Sequence, residues 1–517
     1  MDLYIDDFSG GLNLRDSPNQ LGTNESPRCW NWAQNERGGL LRRKGCANLV
    51  ALPGTTQTVA DIFYSEVLDL WLCVRENSGT KRLFARPGDL SGSWTNVGQI
   101  ASGVSARAAF ADWPGTTKYC LILTDVSDAS NGGLYTYDGT TLTKRVQTDC
   151  TCLAVWQNKV WAAGSTLNPP RVLRSPVGDP TSLPDFNDLR ELNGNLITAL
   201  AVGGGALLAF KKRSHYRITD AATGAYSTID SSVGCVNPRA VVATRSRVVF
   251  WGPDGVYSTE GIGRASNVGD KIQPVYTHDD TLPATVVAGV YRDRPQFAIQ
   301  NSYFPLVTDG TPLLYDFWPE RDSVVPVLMA TTNQGQISSL AMKDGVLYAA
   351  LQAEDDLFRM FTEQAGLDGA SEYASTWKTP WLLPNSGQLS RLQQILVQGL
   401  IEEATGAALV VSVDKDWNSP TIPGNALDYD LTTQLLAANS SVEQQTALIQ
   451  SLGHAAGYQL DLNNNSDTDV GEISLRALQI IDTPIGWPVV GYPAHQRPDL
   501  GRGGGRNTPP PGPPPAA

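Results

Sequence analysis

The run from Asp461 to Glu472 carries oxygen-bearing side chains at a spacing that suggests cation binding. Asp461, Asn463, Asn465, Asp467 and Glu472 fall at loop positions one, three, five, seven and twelve of a calcium loop, with Asp469 at nine. Such a loop wraps roughly six to eight oxygens around one hard cation. Position six is Ser466, where the loop's sharp turn calls for glycine, and the flanking alternation predicts strands where helices are expected. A polar hairpin turn accounts for the same composition equally well.

Other chemistry has less to stand on. The histidines are His215, His278, His454 and His495, and none sits in a paired-His or His-Glu-x-x-His setting, so zinc hydrolysis lacks a ligand set. No Gly-x-Ser-x-Gly elbow occurs. His215 beside Tyr216 reads as a residue packed within a strand. Leu90-Ser91-Gly92-Ser93-Trp94 echoes the aspartate boxes of sialidases without the aspartate. Asp254, Glu260, Asp316 and Glu320 lie near expected strand ends, where glycosidase carboxylates could pair, yet solvated turns explain them as well. The seven cysteines run from Cys29 to Cys235, and Cys150-Thr151-Cys152 is too tight for zinc. They read as buried free thiols. The sequence therefore predicts no catalytic residue and no cofactor.

The bulk properties agree. A net charge of −13 is spread along the chain, and the basic runs stop at Arg42-Arg43-Lys44 and Lys211-Lys212-Arg213. Phosphate-gripping proteins need a basic stripe, so specific nucleic-acid binding is not expected; an acidic wall would let DNA slide past without sticking. The start Met1-Asp2-Leu3-Tyr4 is acidic and lacks an apolar core, so no leader is expected. No apolar run reaches the roughly 18 residues a membrane helix needs. Synthesis in a cytoplasm follows.

The elements that position these residues are short strands. Gly (49) and Pro (33) are abundant and charged residues are only 18% of the chain, a mixture suited to strands and tight turns. Seven apolar strands recur about every 40–50 residues, the period of a propeller blade: Leu70–Val74, Tyr119–Leu123, Lys159–Ala163, Ala206–Phe210, Val248–Trp251, Pro295–Ile299 and Val346–Ala350. Most precede a strand with an aromatic, as in Asp254-Gly255-Val256-Tyr257, and Asp-Gly between strands signals a hairpin. Trp71, Trp161, Trp251, Phe297 and Tyr348 read as fillers between blades. Trp113, Trp318 and Trp417 are candidates for subunit contacts.

The expected fold is all-β: residues 1–53 an N-terminal arm, 54–370 a β-propeller of about seven blades, 371–483 a β-sandwich-like domain, and 484–517 a Pro/Gly-rich tail. A short helix through Trp30 and Trp32, capped by Ser26 before Pro27, is expected in the arm. A helical insertion is expected between Leu431 and Leu452.

Two stretches carry a resemblance. Phe8-Ser9-Gly10-Gly11-Leu12-Asn13, Asn24-Glu25-Ser26 and Gly39-Leu40-Leu41-Arg42-Arg43-Lys44-Gly45 resemble the opening of many tailed-phage tail proteins. Leu207-Leu208-Ala209-Phe210-Lys211, Val233-Gly234-Cys235-Val236-Asn237-Pro238-Arg239 and Val248-Val249-Phe250-Trp251-Gly252-Pro253-Asp254-Gly255 are similar to two adjacent blades of the same proteins. The resemblance implies a nozzle or hub of the virion tail: a homo-oligomeric ring, a hexamer, below the portal and adaptor. It would contact tail fibres or spikes, with DNA passing through at genome ejection. A baseplate or tail-tip component of a long-tailed phage is the neighbouring expectation. A peripheral receptor-binding or glycan-cleaving tail protein is the alternative, and a cellular propeller adaptor is disfavoured by the N-terminal motif. The family pattern supplies no catalytic residue.

Overall fold

In the computed structural model the middle strands of the repeats are covered on both faces. The strands Lys159–Ala163, Ala206–Lys211 and Val248–Trp251 are buried at every position. A strand buried on both faces reads as an unbroken apolar run, which is why this set stood out in the sequence. The structure describes residues 2–488, except 56–57, 103–106, 125–131, 191–194, 279–284, 300–312, 330–335, 353–354, 364–366, 369–370, 383–387, 403–409, 416–428, 432–453, 456–457 and 465–471.

Each of the seven recurrent strands is the second strand of a four-stranded antiparallel blade. The first strands are Asp61–Ser65, Ala108–Trp113, Cys152–Trp156, Ile197–Gly203, Val241–Ala243, Val287–Tyr291 and Ile337–Lys343. Each touches the next, and the last touches the first, so seven blades close a ring around a central channel. The chain is a β-propeller.

Closure uses both ends of the ring. Blade 7 takes three strands from Ile337–Lys343, Val346–Leu351 and Asp356–Glu363, and its outer strand is Gly45–Ala51 from the N-terminal region. Leu357 pairs with Val50 and Arg359 with Ala47. Beside this seam the Arg43 guanidinium makes two bonds to the Asp368 carboxylate, at 2.8 and 2.5 Å. It also donates to the Leu328 carbonyl and lies 3.6 Å from the Tyr373 ring centroid.

Behind the propeller two sheets form the sandwich. One orders Trp32–Gln34, Leu40–Arg42, Glu472–Pro488, Gln388–Glu402 and His454–Ala455, and Asp2–Ile5 also pairs with Glu472–Pro488. The other orders Arg28–Trp30, Ser375–Lys378, Tyr458–Asn464, Val410–Lys415 and Tyr429–Leu431. Phe8, Trp32, Trp377, Leu460 and Leu478 fill one core with Phe250, Phe297 and Phe317 of blades 5 and 6.

The first 53 residues are thus not a separate arm: they give strands to both sandwich sheets and to blade 7. No helix runs through Trp30 and Trp32. Asn31 adopts φ 60°, a left-handed turn that asparagine tolerates, and switches the chain from one sheet to the other. The Ser26 hydroxyl donates to the Lys378 carbonyl at 2.6 Å and does not cap a helix. Local capping signals yielded to pairing with strands some 350 residues away. In the Gly10-Gly11 pair, Gly11 sits at φ +68° against the outer strand of blade 6, where a Cβ would lie 2.6 Å from the Val324 carbonyl oxygen. The strand Glu472–Pro488 also runs past residue 484, where the tail was expected to begin. The helical insertion expected between Leu431 and Leu452 lies outside the described residues but for its first position, Leu431, which ends a strand.

Candidate functional site

The inner strands all start at one end of the channel, so the residues that open them ring its mouth. A cavity of about 390 Å³ lies there. Its polar side is built by Asp61, the first residue of blade 1, by Arg107 just before blade 2, and by Arg239 just before blade 5. Arg107 binds both Asp61 oxygens, with Nε at 2.9 Å and Nη2 at 2.6 Å to Oδ1, and Nε at 3.1 Å to Oδ2. The Ala108 amide donates to the same carboxylate at 2.9 Å, and Arg107 also donates to the Ser338 carbonyl at 2.8 Å. Burial disfavours the charge on Asp61, but Arg107, the Ala108 amide and Arg239 outweigh it and hold the carboxyl below its ordinary range.

The opposite side is apolar. Phe63 and Phe110 stack with ring centroids 5.3 Å apart and planes 3° from parallel, beside Leu153, Leu196 and Leu200. The hydroxyls at the mouth are engaged by backbone: Thr198 donates to the Cys235 carbonyl at 2.6 Å, and Ser339 accepts from the Ile62 amide at 3.2 Å. Burial pushes the Cys152 thiol up to about 12, so it is not a nucleophile near neutrality. Asp61 is ionised and surrounded by donors, which leaves it no role as a proton acceptor. This arrangement can bind; it does not pair a nucleophile with a base.

The sequence candidates fall elsewhere. Asp461 and Asn463 lie in the regular strand Tyr458–Asn464, facing Ser412 and Val410 across the sheet. An extended strand moves such residues apart along its axis and does not curl them around one centre. Glu472 opens the next strand, and Asn465 and Asp467 lie outside the described residues. Among the described residues no group of three or more His, Cys, Asp or Glu could hold a metal ion. No helix among them is long and apolar enough to cross a membrane.

Asp254 follows the second strand of blade 5 and Glu260 its third, at opposite ends of that blade. In blade 6, Asp316 is ion-paired to Arg294 at 2.9 Å, and Glu320 lies 3.3 Å from Arg247 of blade 5. The four carboxylates do not converge on one site. His215 is fully buried against Phe210 and Phe250, with Nδ1 3.0 Å from the Val233 carbonyl and burial lowering its pKa. Trp71, Trp161, Trp251, Phe297 and Tyr348 are all buried. Trp113 is buried as well, in the core between blades 2 and 3, and is no subunit contact. Trp318 lies partly exposed between Arg294 and Arg321, and Trp417 is outside the described residues. The Trp94 indole donates to the Ala51 carbonyl at 3.0 Å, holding the closing strand. All seven cysteines are free and buried. Arg42, Arg43 and Lys211 are buried too, so the two basic triplets form no stripe for phosphates.

Sequence reasoning missed the channel mouth because Asp61, Arg107 and Arg239 belong to three blades. The blade period itself marks where each inner strand opens, and that was the available signal. No protein-family model matches the chain, and no curated protein does. Among solved structures the chain is similar to a chain of a mitotic checkpoint complex, at 13% identity, TM-score 0.38, covering 62% of this chain and 93% of that one. It is similar to the β-propeller domain of the Trilobed protease from Pyrococcus furiosus, at 9%, 0.36, 59% and 93%. A quinonprotein alcohol dehydrogenase-like protein from Bacteroides thetaiotaomicron VPI-5482 matches at 8%, 0.36, 54% and 67%.

Proposed function

We propose that this protein is a structural component of a bacteriophage tail and not an enzyme. In this reading copies of the chain form a ring, a hexamer, around the DNA exit channel below the portal and adaptor. Tail fibres or spikes attach to it, it is made in the host cytoplasm, and it resides in the virion. The observation that supports the reading is where the tail-protein-like N-terminal run lies. Its Gly11 packs on blade 6, its Leu40–Arg42 segment joins the sandwich, and its Gly45–Ala51 strand closes the propeller. That lacing suits a part that bears load. The net charge of −13 suits a wall that DNA must pass without adhering.

Electron microscopy of the purified protein and of virions with this chain tagged tests the proposal. A closed ring on the tail axis is the expected result. Isolated monomers, or labels on peripheral fibres, would overturn it. The alternative of a peripheral receptor-binding or glycan-cleaving tail protein, or a tail-tip component, draws on the cavity at the channel mouth. Turnover of a glycan abolished by a single Asp or Glu substitution would favour it.

A further inference from the structure

We propose that a second cavity, where the sandwich meets blade 6, is a binding site for a phosphate group. The cavity measures about 120 Å³, room for roughly four waters or one tetrahedral oxyanion. Three separate parts of the chain bring its donors together. Trp32 opens the edge strand Trp32–Gln34 of one sandwich sheet. Lys44 stands just before the closing strand Gly45–Ala51. Arg292 sits in the hairpin between the first two strands of blade 6, Val287–Tyr291 and Arg294–Ile299.

The other cations of the lining are already engaged, and none of them is needed. Arg43 is held by Asp368, Arg294 by Asp316 at 2.9 Å, and Arg42 donates to the Tyr373 carbonyl at 2.9 Å. Lys44 and Arg292 differ. Both are exposed, and among the described residues neither side chain forms an ion pair or a hydrogen bond. The Arg292 guanidinium only leans on the neighbouring Tyr291 ring, 5.2 Å from its centroid. Trp32 is what points to a ligand. It is 1% exposed, and its Nε1–H is buried with no hydrogen-bond acceptor. A buried donor left unpaired costs stability, so a native fold rarely keeps one without a reason. One buried N–H and two solvent-reaching cations make a donor set for an oxyanion. Two cations match the two charges of a phosphate better than the single charge of a carboxylate. Leu41, 38% exposed, and Phe361 give the rim an apolar side, which suits the carbon body of a phosphate ester. This is one pocket for one phosphate, not a stripe along a nucleic acid. The inference does not depend on ring assembly.

Isothermal titration of the full chain with inorganic phosphate, phenyl phosphate and acetate, in chloride buffer at constant ionic strength, tests it. Saturable one-to-one binding of inorganic phosphate is expected, with acetate about tenfold weaker or more. Phenyl phosphate should bind at least as tightly; a gain marks an ester as the ligand, and equality marks the free ion. Lys44→Gln and Arg292→Gln should each weaken phosphate about tenfold. Trp32→Phe, which keeps an aromatic ring and removes the donor, should do the same. Melting curves without phosphate check folding, and the two exposed positions carry the test if Trp32→Phe does not fold. No saturable binding of phosphate by the wild-type chain overturns the proposal. So does acetate that binds as tightly as phosphate, or an affinity unmoved by Lys44→Gln and Arg292→Gln together. A folded Trp32→Phe variant that binds phosphate as the wild type does would overturn it too.

Discussion

Arg43 and Asp368 are 2% and 0% exposed and lie 325 residues apart in the chain. Each is the other's counter-charge in a place water does not reach. Removing one partner of such a pair leaves a buried uncompensated charge and costs about 3–5 kcal/mol. Arg43→Met should lower unfolding stability by that amount in urea titration, and a second change, Asp368→Leu, should recover part of it. Recovery of nothing would show that the guanidinium's bonds to the Leu328 carbonyl and the Tyr373 ring carry the effect. Two other aspartates respond to pH with opposite sign. Asp61 is held below its ordinary pKa, so its charge stabilises the fold above about pH 4 and that share is lost as pH falls through the folded value. Asp316 is raised, because burial exceeds the help from Arg294 and Gln296. Its ionisation therefore costs stability as pH climbs past the unfolded value. Melting temperatures from acid to neutral pH should show Asp61→Asn losing most at neutrality and Asp316→Asn losing less there, or gaining. The reverse order would contradict the burial of Asp316.

Among elements, the closing strand Gly45–Ala51 joins the two ends of the ring, pairing with Asp356–Glu363 far along the chain. A chain starting at residue 52 leaves Asp356–Glu363 as a bare edge, which invites aggregation. It should show light scattering and no sharp melt, whereas a chain lacking only residues 1–6 should melt cooperatively at a modestly lower temperature. A sharp, unshifted melt for the chain from 52 would mean the ring closes without its seam. The same strand shows what sequence reading reaches. Second strands such as Val248–Trp251 announce themselves because neighbouring blades cover both faces. Outer strands such as Asp185–Asp188 and Ser266–Asn267 are partly or wholly exposed and read as turns. Trp30 and Trp32 looked helical because Ser26-Pro27 is a local signal, while their true partners, Thr376 and Arg42, are set by the tertiary fold. The channel mouth was hidden for the same reason, since its three charges come from separate blades.

For the molecule as a whole, the core that joins the two parts is the decisive feature. Phe8, Trp32 and Trp377 of the sandwich pack in one cluster with Phe250, Phe297 and Phe317 of the propeller. Asn31 adds polar ties across the same boundary: its side chain donates to the Ala374 carbonyl at 2.7 Å, and accepts from the Leu328 amide at 2.9 Å and Arg43 at 2.8 Å. Domains joined by small polar interfaces move and unfold separately, but a large apolar interface couples them. Calorimetry should therefore give one transition, with calorimetric and van't Hoff enthalpies in a ratio of about one. A chain ending at residue 379 would strip the strands Gln388–Glu402 and Glu472–Pro488 from Trp32–Gln34 and Leu40–Arg42. It should lose that transition even though every blade sequence is intact. Two resolved transitions in the full chain, or an unchanged melt in the truncated one, would mean the shared core does not couple the parts, and the proposed ring would then need its rigidity from contacts between copies.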